Sequence, residues 1–454
     1  MIFDIKIATK NKINDKNKQI FIDETINMII MIVKLNITLE VFIMRILIAI
    51  TALIIILPKI GLQCLMALYH QKRITLWVCK YAGVNLSIIE HRTILIGNQP
   101  LSDVDQWLHY LKGNFDLTGP QAVEFPKAMK MDDDNQIRFK IAPGIISPYH
   151  VKKISGIAHG SEQDISLAFV KSANYYKRMM LVIVWSIQKL IDKKPSLLET
   201  PSEFMLFGVR ISNRRMQTAI NKIMQSLETS KQNTKAATYA FVNADCANHY
   251  YEDEQYKSIL NSFSNVFPDG IGVKIAARHQ GLALKENVNG TDMFPLLCKK
   301  LNRHKKRVFL LGATPNVIKK TATKLAQQYP NIRIAGYIDG YRFSDDPETL
   351  CNHINQTNTD LLFVAMGAPR QEKWINDNIA RLNVKAAIGV GGLFDFYSEQ
   401  VSRAPEWLRE LSLEWVWRLI AQPVDKGKRY LIGNPLFLLH VYMSSKQSHY
   451  QTTS

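Results

Sequence analysis

Asn265 to Gly290 reads NVFPDGIGVKIAARHQGLALKENVNG. An apolar run ends in Phe267-Pro268, Asp269 follows, and Gly270-Ile271-Gly272 come next. Proline fixes φ, and glycine opens backbone conformations closed to other residues, so the chain turns sharply here. The pattern predicts a strand giving way to a helix, with one carboxylate held on a stiff loop between them. That placement suits a general base. The same letters also describe an ordinary Pro-Asp-Gly surface turn, and the rest of the chain has to decide.

Outward from this stretch the sequence alternates. Thr238 to Val242, Arg307 to Gly312, Ile332 to Tyr337, Asp360 to Met366 and Ala386 to Val390 read as strands, and Phe207 to Ile211 as a shorter one. The intervening pattern predicts helices over 252–264, 315–329, 347–356 and 371–382, and Asn213 is placed to cap another that runs to about Leu227. Strands alternating with helices predict an α/β domain, Rossmann-like, with a parallel sheet. LLFVAMG and AAIGVGG have the unbroken apolar character of strands buried on both faces. Ligands of such sheets bind beyond the carboxyl ends of the strands. Gly312-Ala313-Thr314 and Gly367-Ala368-Pro369 fall there, where backbone N–H groups can meet a diphosphate; each glycine alone also reads as a tight turn. The domain has no GxGxxG and no GxxxxGK[ST], so neither a nicotinamide fingerprint nor a Walker-type ATP site is supported. No DxD motif for a metal-bridged nucleotide sugar stands out. Asp132-Asp133-Asp134 reads as solvated loop, and Asp345-Asp346 as a helix start before Pro347.

The chain has 454 residues, room for two or three domains, and 47% of them are hydrophobic. Its net charge is +18, which points to an anionic partner: membrane lipid, nucleic acid or phosphorylated substrates. The five cysteines are scattered, with no CxxC pair, which argues against a zinc site or a disulfide framework and fits a reducing compartment. Residues 1–40 form an uncertain leader. Val41 to Tyr69 is apolar but broken at Pro58-Lys59, short of the roughly 20 unbroken residues a simple span needs. With Arg45, Lys59, Lys72 and Arg73 on both flanks, it reads as a re-entrant helix with both ends cytoplasmic, and a buried helical hairpin is the alternative. Residues 41–192 are therefore expected to form a mainly helical membrane-associated domain. The stretch KKPSLLETPS sits in a linker at 193–203, and residues 204–436 and 437–454 are the α/β domain and a tail.

Six motifs occur in fixed order: PDGIG at 268–272, NGTD at 289–292, VFLLG at 308–312, DLLFVAMGAPRQEKWI at 360–375, GVGGLFDFYSEQVSRAPEW at 389–407 and LEWVWRL at 413–419. This series resembles the WecG/TagA/CpsF glycosyltransferases, glycosyltransferase family 26, over about residues 204–436. The resemblance implies transfer of a sugar, often N-acetylmannosamine or its uronic acid, from a UDP donor to a polyprenyl-diphosphate-linked sugar. It implies inversion at the anomeric centre, no metal and no cofactor. Asp269 then matches the general base, and Asn243, Gln371 and Asp395 match residues expected around the donor. Two positions depart from the family pattern: Phe241 stands where a threonine is usual, and Asn287 where an arginine is usual. They leave the identity of the sugar open. The tail gathers Arg403, Arg409, Arg418, Lys426, Lys428 and Arg429 with Trp407, Trp415 and Trp417, a mixture that suits an anionic membrane interface. In the family this tail covers the active site, so Arg403 and Arg418 are expected to clamp the donor's diphosphate.

Residues 43–190 carry a patchier resemblance to the bacterial sugar transferases, the monotopic phosphoglycosyl transferases. It rests on Leu111-Lys112-Gly113, Gly119-Pro120 and Ala142-Pro143-Gly144-Ile145. That family's nucleophilic aspartate falls on Ser102, a poor replacement without an activating base, and its phosphate-binding arginine falls on Gln121. The front region is therefore expected to be a degenerate relative that keeps the anchor. A bifunctional enzyme using Asp103 is one alternative, and a basic nucleic-acid-binding protein another. The leading expectation involves no nucleic acid. It places the chain on the cytoplasmic face of a bacterial inner membrane, in cell-surface glycan synthesis; a homo-oligomer is compatible with it.

Overall fold

The computed structural model describes residues 45–52, 54, 57, 58, 60, 63, 64, 69, 74–96, 99, 100, 104–157, 160–191, 199–228, 236–341 and 346–451. Two compact units divide between Ser147 and Pro148. Much of the expected re-entrant segment lies outside the described residues, as do Ser102 and Asp103. No helix among the described residues is long and apolar enough to cross a membrane.

The first unit is built on an antiparallel hairpin. Strand β1 (Ile74–Ala82) pairs with β2 (Ile88–Ile96), from Ile74 opposite Ile96 to Ala82 opposite Ile88. Helix α1 (Val104–Leu111) packs on β2. A short parallel pair, β3 (Asp116–Thr118) and β4 (Gly144–Ile146), brings Gly119 against Gly144 so closely that a Cβ on Gly144 would lie 1.9 Å from the Gly119 nitrogen. Only glycine fits there. Asp132, Asp133 and Asp134 are exposed, as the solvated-loop expectation has it, but Asp133 and Asp134 begin a short helix, Asp133–Gln136, which the Asp132 side chain caps by accepting from the Asn135 N–H.

The second unit opens with three helices, α2 (Pro148–Ser155), α3 (Glu162–Ser172) and α4 (Tyr175–Ile191). A hairpin follows. Strands β5 (Glu203–Leu206) and β6 (Val209–Ser212) turn through Phe207 and Gly208, both at positive φ. The sequence pattern had placed Phe207 inside a strand; it is the first turn residue instead. Asn213 does not cap α5 (Met216–Ser226). It is fully buried, donates to the carbonyls of Pro201 and Ala283, and accepts from the Lys285 N–H. Glu286 takes the α5 N-terminus instead, accepting from the Met216 N–H at 2.8 Å.

Beyond α5 lies β7 (Ala237–Val242), then α6 (Ala244–Glu252), α7 (Glu254–Ser262), β8 (Asn265–Pro268), α8 (Ile271–His279) and α9 (Gly290–Arg303). Next come β9 (Arg307–Gly312), α10 (Pro315–Gln328), β10 (Arg333–Ile338), α11 (Pro347–Asn355), β11 (Leu361–Ala365), α12 (Arg370–Asn378) and β12 (Ala386–Gly389). The sheet order is β10-β9-β11-β12-β7-β8, and every neighbouring pair is parallel. Alternate residues feed two cores. Ala240, Val242, Leu311 and Val364 pack on one face, and Tyr239, Phe241, Leu310 and Phe363 on the other. Burial on both faces is why these strands read as unbroken apolar runs. The tail is helical, with α13 (Leu393–Tyr397), α14 (Glu406–Glu410), α15 (Glu414–Ala421) and α16 (Gly433–Gln451). Asn248 and His440 fasten α16 to α6: Asn248 donates to the Gly433 carbonyl, and the His440 ring stacks on Tyr251 at 3.9 Å between centroids.

Candidate active site

Pro268 ends β8, and the Asp269 N–H adds one more ladder bond, to the Val242 carbonyl at 2.8 Å. Gly270 at φ 88° turns the chain into α8. A Cβ on Gly272 would meet the Ala244 Cβ at 2.9 Å, so this glycine allows α8 to lie against α6. The result is a loop at the carboxyl end of the sheet with Asp269 half-buried on it, as the opening stretch predicts.

Asp269 faces a cavity of about 560 Å³ whose wall includes Asn243, Asn287, Asp292, Arg409, Trp415, Arg418 and Arg429. Burial pushes the Asp269 carboxyl up to about 6; Arg418 opposes the rise, Glu414 adds to it, Arg429 opposes it and Asp292 adds to it. The cations are held in place by these and other carboxylates. Arg403 pairs with Asp292 and lies 3.8 Å from Glu414, Arg409 lies 3.8 Å from Asp292, and Arg429 lies 3.3 Å from Asp245. The Arg418 guanidinium lies over the Phe396 ring at 4.4 Å. Such a ring of arginines around one carboxylate can neutralise a diphosphate while the carboxylate takes a proton.

Of the residues singled out in the sequence, Asp269, Asn243, Asn287, Arg409, Trp415, Arg418 and Arg429 line this cavity together. Gln371, Asp395, Gly312, Gly367 and Arg403 do not line it. Asn243 Oδ1 accepts from the N–H groups of Asp245 and Cys246 and caps α6, a helix the sequence pattern did not predict. Gln371 is buried; its Oε1 accepts from the Gly391 N–H at 2.8 Å and its Nε2 donates to Glu372 at 2.6 Å. Glu372 is fully buried, accepts from the Tyr256 hydroxyl, and burial pushes its carboxyl up to about 7. Asp395 is half-buried; burial raises its carboxyl while Lys426 and Arg418 pull it down. Gly312 is required by packing, since a Cβ there would lie 2.3 Å from the Ala365 carbonyl oxygen. Gly367, at φ 78°, has open space around it.

Asp292 was visible only as part of NGTD. Asn289 caps α9 by accepting from the Asp292 N–H, its amide donates to the Asp292 carboxylate, and that carboxylate anchors two arginines. The two departures from the family pattern also find physical roles. The Phe241 ring packs against Phe267 and next to Gly290, as part of the core. Asn287 Oδ1 accepts from the Gly270 N–H at 2.8 Å, on the Asp269 loop itself.

One cluster of metal-type ligands occurs among the described residues, in the first unit: His91, Asp105 and His109. Asp105 accepts from the Arg92 N–H at 2.7 Å. The two His109 ring nitrogens lie 2.8 Å from the Glu90 carbonyl oxygen and 3.1 Å from the Asn114 amide. Hydrogen bonds between β2 and α1 account for this arrangement.

Comparison with known proteins bears on the family. The family described as "Glycosyl transferase WecG/TagA/CpsF family" matches residues 204–451. The N-acetylglucosaminyldiphosphoundecaprenol N-acetyl-beta-D-mannosaminyltransferase of Bacillus subtilis (strain 168) is 43% identical over 211 residues, 46% of this chain and 80% of the relative. The protein of the same name from Bacillus spizizenii (strain W23) is 33% identical over 209 residues, again 46% and 80%. That of Staphylococcus aureus (strain NCTC 8325) is 29% identical over 245 residues, 53% of this chain and 93% of the relative. The chain belongs to the WecG/TagA/CpsF family of glycosyltransferases.

Proposed function

We propose that this chain transfers N-acetylmannosamine, or a closely related hexose such as its uronic acid, from a UDP donor to a polyprenyl-diphosphate-linked N-acetylglucosamine. The observation that carries the reading is Asp269, held on a stiff loop in a cavity walled by Arg409, Arg418 and Arg429. Asp269 accepts the proton of the acceptor hydroxyl as that oxygen attacks the donor's anomeric carbon. The bond from that carbon to the UDP oxygen breaks, and UDP leaves with the electron pair. Attack opposite the leaving group inverts the centre. The arginines neutralise the charge that develops on the diphosphate, without a metal ion. Gln371, Asp395, Arg403, Gly312 and Gly367 stand outside the cavity wall, and the family resemblance is what supports a donor-side role for them. The names of the relatives support the acceptor.

Apolar residues at the cavity mouth support a lipid-linked acceptor: Ile275, Leu431 and Leu438 line the cavity and are exposed. The chain then works against anionic lipid on the cytoplasmic face of the membrane. The front region serves as a degenerate anchor, and the product enters cell-surface glycan synthesis. The deciding experiment compares the native chain with Asp269→Asn on UDP-N-acetylmannosamine and a synthetic polyprenyl-diphosphate N-acetylglucosamine. Retained UDP binding with transfer reduced about 10²–10⁴-fold is expected. Full activity of the variant overturns the reading.

A further inference from the structure

We infer that Asn287 is a positioning residue for the Asp269 loop, and that the turn at Gly156, outside the segment matched by the family, holds Asn287 in place. The inference rests on the reading of Asp269 as the base.

A side chain on a loop points where its backbone dihedrals send it. Both peptide groups flanking the Asp269 Cα are tied. On one side the Asp269 N–H donates to the Val242 carbonyl at 2.8 Å. On the other, the Gly270 N–H donates to Asn287 Oδ1, also at 2.8 Å. Ladder pairing with β7 supplies the first bond. The second depends on one side chain that can accept. Removing it frees the Asp269–Gly270 peptide to rotate, and glycine at 270 puts up no steric resistance.

Asn287 is itself fixed from upstream. Its N–H donates to the Gly156 carbonyl at 2.9 Å. Gly156 has φ 81°, and a Cβ there would lie 3.2 Å from the Asn287 nitrogen, so the turn needs glycine for both conformation and space. The turn is anchored on two sides. Lys274, on the helix that follows the Asp269 loop, donates to the Ile154 carbonyl at 3.0 Å. Ser155 donates to the Glu410 carbonyl, and buried Gln188 reaches both Ser155 Oγ at 2.7 Å and that same carbonyl at 3.0 Å. Lys152 adds ion pairs with Glu406 and Glu410. Glu410 adjoins Arg409, which lines the cavity, and Ile157 of the turn lines it too. The described residues between 148 and 191 thus strap the loop that carries the base to α14, the helix that holds Arg409.

The test uses the full chain with UDP-N-acetylmannosamine and the synthetic acceptor. Asn287→Ala is expected to lower kcat about 10–100-fold, the scale of a misplaced catalytic group, with the donor KM changed less than about twofold. Asn287→Asp is nearly isosteric and keeps an acceptor for the Gly270 N–H. It should recover most of kcat at high pH, and its added carboxylate should move the acidic limb of the pH profile upward. Gly156→Val should fall in the same direction as Asn287→Ala. The double variant should be no worse than Asn287→Ala alone, because both act through one bond. If Asn287→Ala and Asn287→Asp keep native kcat and pH profile while Asp269→Asn is dead, the inference fails and the proposed function stands. Strictly additive losses in the double variant overturn the role of Gly156. Full activity of Asp269→Asn removes the reading beneath both.

Discussion

Asp269 combines burial with a carboxylate's need for water, and that conflict sets two measurable quantities. Its carboxyl, pushed up to about 6, must be ionised to accept a proton, so kcat/KM should fall about tenfold per pH unit below that value and level off above it. A pH–rate profile checks this; an acidic limb centred near 4 would contradict it. The same rise carries a stability consequence. The folded state binds this proton more tightly than the unfolded state, so the ionised carboxylate weakens the fold above pH 6, and the penalty fades as pH falls toward 4. With discount for solvent, Asp269→Asn should gain about 1–2 kcal/mol at pH 7.5 and nothing near pH 4. Thermal melts at the two pH values measure the difference. Asp269 itself was legible because proline, glycine and a lone acid mark such a loop locally. Arg418 was singled out with Arg403 on the family resemblance, and Arg403 stays outside the cavity wall; Arg409 and Arg429 were legible only as members of a basic cluster, since no spacing in the chain says which of them reaches the cavity. Asp292 carried no local signal beyond a capping pattern.

At the scale of elements, the strands were the most readable part, because burial on both faces leaves a continuous apolar run of strand length, closed by glycine at its end. The misses are places where tertiary bonds override a local signal. Asn213 looks like a helix cap and instead spends its amide on Pro201, Ala283 and Lys285. Helix α6, ADCANHYYE, has little apolar periodicity and exists because Asn243 caps it and α16 covers it. That dual position of Asn243, capping a helix and lining the cavity, can be separated by substitution. Aspartate caps as well as asparagine, whereas alanine loses about 1 kcal/mol. Asn243→Asp should therefore melt within about 2 °C of the native chain and Asn243→Ala several degrees lower. If the donor's diphosphate passes Asn243, the new charge in Asn243→Asp should raise the donor KM more than tenfold with little change in stability. Equal donor KM values for the native chain and Asn243→Asp would confine Asn243 to the cap.

For the molecule as a whole, the question is how a soluble nucleotide sugar and a lipid-bound acceptor meet at one carboxylate. The net charge of +18 and the exposed apolar residues of the tail answer different halves of it. Charge acts over about a Debye length and draws the protein to an anionic surface, but salt screens it. Apolar contact acts only on touching and resists salt. In the tail Ile420, Val424 and Ile432 are exposed by 70%, 92% and 61%, and they stand outside the cavity wall. Replacing all three with serine removes apolar surface without opening a core, so the fold should change by less than about 0.5 kcal/mol. Even partial insertion of such side chains is worth about 1 kcal/mol each, so the triple variant should bind phosphatidylglycerol vesicles at least about 10-fold more weakly in 0.5 M salt. Transfer to a short-chain, water-soluble acceptor should continue at the native rate, because Asp269, Asn287 and the arginines are untouched. Vesicle sedimentation and a soluble-acceptor assay on the same preparation separate the two. Unchanged vesicle binding in high salt would remove this part of the tail from the membrane contact, and an equal loss in the soluble assay would place these residues in the active site rather than at its margin.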